Sequence, residues 1–414
     1  MKTVGLITEY NPFHNGHKYH IDQAKAVTNA DYVVVVMSGN YVQRGAPAII
    51  NKNTRAEAAL ACGADLVIEL PVQYATGSAN YFAAGAISLL DQLGIIDYIC
   101  FGSECGDINT LKTIADLLEN ESEIFKTTLA ANIKIGLSYP TARNHAITAH
   151  LKNVGTSVEN LQIILSSPNN LLAIEYLKAL ASRKSSIKPY TITRNDSGYH
   201  SQNTDSPFVS ASAIRNTIEH TANLSSIKHC IPEFTYRLLD SNFKKNFPIT
   251  TDDFSLLLGN ALLQADISNI FDINRDLAYR IIGSKENFTS FTSFANHLKT
   301  KNITLTAIYR SLLHILLNIK QNDIQSYIQN DWIEYIRIIG FKKSASTLLT
   351  EIKANSNLTI ISKLSNYKEI LVDKPLALRM LEQNIYADHL YRLVTMNKYN
   401  SILPNEYQTS ILIK

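Results

Sequence analysis

Strand-like and helix-like segments alternate through the N-terminal quarter of the chain, and that alternation limits the folds open to it. "TVGLI", "DYVVVVMSG", "DLVIELPV" and "IDYICFGSE" read as strands; "HKYHIDQAKAV", "TRAEAALACGA" and "YFAAGAISLLDQLG" between them read as helices. Such alternation predicts an α/β fold with a parallel sheet and right-handed crossovers. The strands are continuously apolar, "VVVV" above all, as expected when helices cover both faces of the sheet. Further on, "LQIILSSPNNLLAIEYLKALAS" predicts a helix from about Asn170 and "KPYTITR" a strand. The polar, turn-rich residues 195–208 predict a mobile loop. From about residue 225 the pattern turns helical, as in "FSLLLGNALLQA" and "LTAIYRSLLHILLNIK". Since 414 residues exceed what one core usually supports, two domains are expected. Residues 1–225 would form a Rossmann-like domain and 226–414 a mostly α-helical one.

Hydrophobic residues make up 45% of the chain and charged residues 18%. No apolar run is long enough to span a bilayer and the N-terminus has no charged-then-apolar leader, so a soluble cytoplasmic protein is expected. The four cysteines (Cys62, Cys100, Cys105, Cys230) show neither metal-finger nor CxxC spacing, which fits reduced thiols. There are 39 basic and 36 acidic residues, with the small basic excess in the C-terminal half. That permits a polyanionic partner such as RNA and equally describes an ordinary surface.

The stretch "TEYNPFHNGHKYHI", residues 8–21, follows the first strand. Ligands of open parallel sheets sit at the carboxyl ends of the strands, and a helix starting near Gly16 would turn free amides and the positive end of its dipole toward the loop. Gly16 allows close approach of a phosphate and Pro12 stiffens the turn. His14 and His17 offer donors that strengthen as charge builds on a phosphorus under attack. The competing readings are that these histidines cap or pack the helix start, or that with His20 they hold a metal. The metal reading lacks a partner cluster of Cys or His, so no metal site is expected.

Strand plus "HNGH" resembles the HIGH-type nucleotidyltransferase superfamily. The surrounding text narrows the resemblance. "EYNPFHNGH", "MSGNYVQRGAPAIINKNTRAEAALACGADLVIELPVQYATGSANYFAAGA", "CFGSE", "GLSYPTAR", "SSPNNLLAIEYLKAL" and "FVSASAIR" are similar, in that order, to the bacterial tRNA(Met) cytidine acetate ligase family. "RSLLHILLNI", "YIRIIGFKKSASTLL" and "NIYADHLY" resemble its helical C-terminal part. Small adenylyltransferases usually carry Asp where this chain has Asn11, a departure toward the ligases. The resemblance implies that ATP and acetate give acetyl-adenylate and pyrophosphate, with Mg2+ accompanying the triphosphate. The acetyl group would then pass to the wobble cytidine of elongator tRNA(Met). Two other readings stay open: an adenylyltransferase acting on a small phosphate or mononucleotide, and a non-catalytic tRNA- or ribosome-binding protein with a regulatory nucleotide site.

On this resemblance His14 and His17 are the catalytic pair. The ATP wall comprises Ile7, Thr8, Glu9, Tyr10, Asn11, Pro12, Phe13, Asn15, Gly16 and His20 with them, then Gly102 and Ser103 after a later strand, and Arg194. One of Asn169 and Asn170 would bind nucleotide, while capping of the helix is the alternative for either. Ser210 and Ser212 in "SASAIR" would close over the triphosphate. Gln43, Arg44, Lys52 and Arg55 could reach acetate, pyrophosphate or RNA. The pairs Lys244–Lys245 and Lys342–Lys343 are candidate RNA contacts. Oligomeric state and the acetate pocket are not legible at this level.

Overall fold

The computed structural model describes residues 1–156, 158–194 and 208–414; the loop expected at 195–208 falls, but for Phe208, outside them. Among the described residues ten strands are formed: β1 (Thr3–Thr8), β2 (Tyr32–Ser38), β3 (Tyr41–Val42), β4 (Ala46–Pro47), β5 (Leu66–Leu70), β6 (Tyr98–Ser103), β7 (Lys188–Thr193), β8 (Tyr335–Phe341), β9 (Thr359–Ile361) and β10 (Leu412–Ile413). β3 and β4 make a small antiparallel ribbon. The others form one sheet in the order β10-β8-β5-β2-β1-β6-β7, with β9 also beside β8. β1 pairs in parallel with β2 and with β6, and β2–β5 and β6–β7 are parallel too. The strand order therefore reverses at β1, and a crevice opens past the carboxyl ends of β1 and β6.

The expected parallel sheet is present, and β2 shows why this sequence builds it. Val33, Val34, Val35 and Val36 are all fully buried, with alternate residues in two different cores. Val33 and Val35 share a cluster with Ile21 and Ala24 of helix α1 (Asn15–Thr28) and with Ala56 and Leu60 of α2 (Lys52–Ala61). Val34 and Val36 face the layer that holds Val72 and Tyr74 of α3 (Val72–Ala75) and Phe82, Ala86 and Leu90 of α4 (Ala79–Gln92). Each such burial contributes about 1.5–3 kcal/mol, and a one-residue shift of register would exchange the two faces. α4 lies so close to β1 that a Cβ on Gly5 would sit 2.8 Å from Leu90.

Residues 226–414 are mostly helical, as expected, but they share the sheet and core of the first half. "YIRIIGF", grouped by resemblance with a helical region, is strand β8, antiparallel to β5. A short apolar run does not by itself distinguish a buried strand from a buried helix; here β5 offers an open edge and the isoleucines fill both faces. The helix Pro375–Tyr399 is stitched to the loops around β2 and α3. Tyr391 donates to Ala48 O at 2.8 Å, Tyr41 to Ala387 O at 3.1 Å, and Val72 N to Asn384 Oδ1 at 2.8 Å. Among the described residues no helix is long and apolar enough to cross a membrane.

Candidate active site

A cavity of about 280 Å³ occupies the crevice at the carboxyl ends of β1 and β6. Its floor is the start of α1. His14 is the N-cap residue; its Nδ1 accepts from Gly16 N at 3.0 Å, while His17 Nδ1 accepts from His14 N at 3.3 Å. This is a capping box built from two imidazoles, whose rings stack with centroids 3.7 Å apart. An Nδ1 that accepts carries no proton, so each neutral ring bears its hydrogen on Nε2. Burial, then His14, Arg194 and His20, holds the His17 pKa well below its ordinary value. Burial and then Arg194 push His20 down to about 4, against the Cys100 carbonyl. Capping through Nδ1 and a donor role through Nε2–H use different ring atoms, so the first does not exclude the second.

The 7–20 segment divides by direction. Ile7, Thr8, Glu9, His14, Gly16, His17 and His20 line the cavity. Tyr10, Asn11, Pro12, Phe13 and Asn15 do not; they frame the loop. Tyr10 takes a left-handed backbone conformation (φ 49°) and buries its ring edge-on to Phe13 and His17, at 4.7 and 4.9 Å. Asn11 is spent on Ile49 N through Oδ1 at 2.8 Å, and Asn15 donates to His229 O at 2.9 Å.

The opposite wall resolves the two asparagines. Asn170 is buried and absent from the wall: its Oδ1 accepts from Glu104 N at 2.9 Å and Cys105 N at 3.1 Å, and its Nδ2 donates to Ile164 O. Asn169 lines the cavity, donates to Glu104 Oε1 at 2.7 Å and accepts from Arg194 Nη1 at 3.2 Å. Glu104, unremarked in the sequence, also accepts from Asn169 N and Asn170 N at 3.1 and 2.8 Å, anchoring the helix Pro168–Ser182 where its dipole is positive. Gly102 and Arg194 line the cavity, whereas Ser103 is buried, bonded to Thr191 Oγ1 at 2.7 Å and to Gly106 N. Asn170→Ala should therefore destabilise the fold by about 2–3 kcal/mol, since two amides lose their acceptor. Asn169→Ala should leave the thermal midpoint nearly unchanged and weaken nucleotide binding. Paired melting and ATP titrations separate the two.

The third wall is the helix Ala211–His220. Ser210 caps it, and Ser210 and Ser212 both face the cavity. Arg215, one turn after Ser212 and so on its face, was not singled out in the sequence; it also lines the cavity. Gln43 and Arg44 reach the wall, but Lys52 and Arg55 do not. Arg55 is buried and donates to the carbonyls of Glu9, Ser38, Gly39 and Ile50. Lys52 is buried among Glu69, Asp388 and Glu406. Both hold the loop after β2 in place, Arg55 through carbonyls of that loop and Lys52 through Asp388 and Glu406 far away in the chain. Of the candidate RNA contacts, Lys244 and Lys245 are exposed, in a turn whose Phe247 packs with Ile49 and Ile214. Lys342 pairs with Asp65 at 3.3 Å beyond the end of β8, where Phe341 faces Leu66. Because β8 is antiparallel to β5, that pair lies at the amino end of the parallel strands, away from the cavity.

The HIGH Nucleotidyl Transferase family matches residues 1–405. A tRNA(Met) cytidine acetate ligase of Thermoanaerobacter sp. (strain X514) is 41% identical over 399 residues, 96% of either chain. Another from Acetivibrio thermocellus is 39% identical over 421 residues, 100% of both. The crystal structure of Thermotoga maritima TmcAL bound with alpha-thio ATP superposes with a TM-score of 0.91 at 29% identity, covering 100% of this chain and 99% of that one. Its apo form gives 0.94 at the same identity and coverage. The family match over residues 1–405 and the whole-length relatives show that the chain belongs to the HIGH nucleotidyl transferase family, among its tRNA(Met) cytidine acetate ligases.

Proposed function

We propose that this protein joins acetate to ATP as acetyl-adenylate, releasing pyrophosphate, and passes the acetyl group to the exocyclic amine of the wobble cytidine of elongator tRNA(Met). The products are N(4)-acetylcytidine and AMP. The observation that carries the reading is the pair of neutral imidazoles at the amino end of α1, on the wall of a cavity at the reversal of strand order. Acetate alone is a poor acyl donor because oxide is a poor leaving group; adenylation replaces it with AMP. As the acetate oxygen attacks the α-phosphorus, charge grows on the phosphoryl oxygens, and the Nε2–H groups of His14 and His17 take it up at the positive end of the α1 dipole. Asn169 and Gly102 bound the nucleoside end, while Arg194, Ser210 and Ser212 hold the departing pyrophosphate.

Magnesium enters with the triphosphate, as part of the substrate. Glu9 is the one carboxylate on the described cavity wall, and among the described residues no three His, Cys, Asp or Glu side chains are grouped to hold an ion. We assign activation to residues 1–225 and most of the RNA surface to 226–414. The reaction belongs in the cytoplasm, where reduced thiols such as Cys62, Cys100 and Cys105 persist.

Position separates the lysine pairs. Replacing Lys244 and Lys245 with Gln should weaken tRNA binding and flatten its log–log salt slope by up to about 2. The same change at Lys342 and Lys343 should alter neither. Equal effects of both variants would show that RNA is not held beside the cavity. The function itself is tested by incubating the protein with ATP, labelled acetate and total tRNA, then digesting the RNA to nucleosides. Label in cytidine supports the ligase; AMP transferred to a small phosphate would support the alternative enzyme.

A further inference from the structure

A second cavity of about 150 Å³ adjoins the nucleotide cavity, and Glu9, Arg44 and Arg215 line both. Val42, Pro47, Ile49 and Ile249 give the smaller one an apolar side. Arg44 and Glu219, also on its wall, are exposed, so it reaches solvent there. Arg215 donates Nη1 to Asn11 O at 2.7 Å and Nη2 to Ser212 Oγ at 3.1 Å, which leaves three of its five N–H groups. Glu9 accepts from Gln43 N with Oε1 at 2.8 Å, which leaves Oε2. Burial and Arg44 push the Arg215 guanidinium down to about 10, while Glu9 and Glu219 oppose that shift; the four charged groups act on one space.

This space is lined by donors and acceptors together. Acetate presents only acceptors, so Arg215 suits it but Glu9 and Glu219 repel it. Cytosine presents an amine donor at N4 beside acceptors at N3 and O2, on a flat apolar ring. Carboxylates are the usual partners of that amine, and an unstacked base is read on this edge. Resting on the ligase reading above, we propose that the smaller cavity receives the wobble cytosine, with N4 toward Glu9 and the N3 and O2 edge toward Arg215. Glu9, which faces both cavities, then stands where amine and acetyl-adenylate meet. N4 attacks the acetyl carbon, the C–N bond forms, the bond from that carbon to the phosphate oxygen breaks, AMP leaves with the electron pair, and the N4 proton passes to Glu9.

Ala46 lines only the smaller cavity, and Ala46→Leu would narrow it by three carbon atoms. Glu9→Gln keeps an acceptor for Gln43 N but removes the base. For each variant two half-reactions are measured on one preparation: acetate-dependent ATP–pyrophosphate exchange without RNA, and acetyl transfer to a tRNA(Met) transcript. Taking their ratio cancels partial loss of folded protein. In both variants transfer should fall at least tenfold relative to exchange. A wild-type ratio in both would overturn the assignment. So would a raised KM for acetate in the Ala46→Leu exchange reaction, which would put the acyl donor there. A wild-type protein with no acetate-dependent exchange would instead reject the ligase reading, and this one with it.

Discussion

His17→Ala should slow acetate-dependent ATP–pyrophosphate exchange by about 10²- to 10³-fold, the loss expected when one preorganised donor to a charged transition state is removed. The fold should suffer far less. His17 contributes one contact to the capping box, Nδ1 with His14 N at 3.3 Å, a loss of about 1 kcal/mol. The pH profile offers a second check. Burial first, then the neighbouring His14, Arg194 and His20, hold the His17 pKa well below the ordinary value, so the ring is neutral at the pH where a free histidine gains its proton. Protonation of Nδ1 would remove the acceptor that His14 N uses, so any acid limb due to His17 must lie below pH 6.5. A variant that melts early yet turns over fully would reduce His17 to a helix cap. A limb near pH 6.5 that disappears in His17→Ala would contradict its neutrality.

Lys52→Met should destabilise the protein by about 3–5 kcal/mol, as breaking a buried charge network by removing one side generally does. Lys52 Nζ lies 2.9 Å from Glu69 Oε1 and 3.0 Å from Glu406 Oε2 and is bonded to Asp388, with side chains 3%, 1%, 11% and 4% exposed in that order. The three carboxylates raise the ammonium pKa against the effect of burial. Without it, Arg337, 3.9 Å from Glu406, is the cation left beside them. The deficit should shrink as the pH falls toward the carboxylate range: the Asp388 pKa is already raised by burial, and an unpaired carboxyl with a raised folded pKa takes up protons in the folded state first, so acid favours that state. Since Asp388 and Glu406 lie beyond residue 385, the C-terminal tail should also become the first site of proteolysis. Stability within 1 kcal/mol of wild type would show that the cluster contributes little.

How far the sequence reveals this arrangement depends on the range of the interactions involved. The parallel sheet is legible because burial on both faces leaves continuous apolar strands, and His14–Gly16–His17 because a strand end, a turn and a helix start are all local. Asn169 and Asn170 cannot be told apart locally; Glu104, 66 residues from Asn170, decides which one faces the cavity. Lys52 looked like a surface helix start because Asp388, 336 residues away, supplies its partner. Strand β8 was hidden by its short apolar run, and Arg215 was overlooked although its spacing from Ser212 puts both on one helical face. The framing residues Tyr10 to Phe13 share the motif with the lining ones, and only the turn of the backbone separates them.

The central claim is that acetate attacks the α-phosphorus of ATP over the His14–His17 pair. It is tested most directly by running the complete reaction with tRNA(Met), ATP and acetate carrying 18O in both carboxyl oxygens, then weighing the AMP released. The attacking oxygen stays on phosphorus when the acetyl group leaves, so each AMP should carry one 18O. Acetylated cytidine formed with ADP and labelled inorganic phosphate, or with unlabelled AMP and labelled pyrophosphate, would mean that acetate attacks the γ- or the β-phosphorus and would contradict the role assigned to the histidine pair.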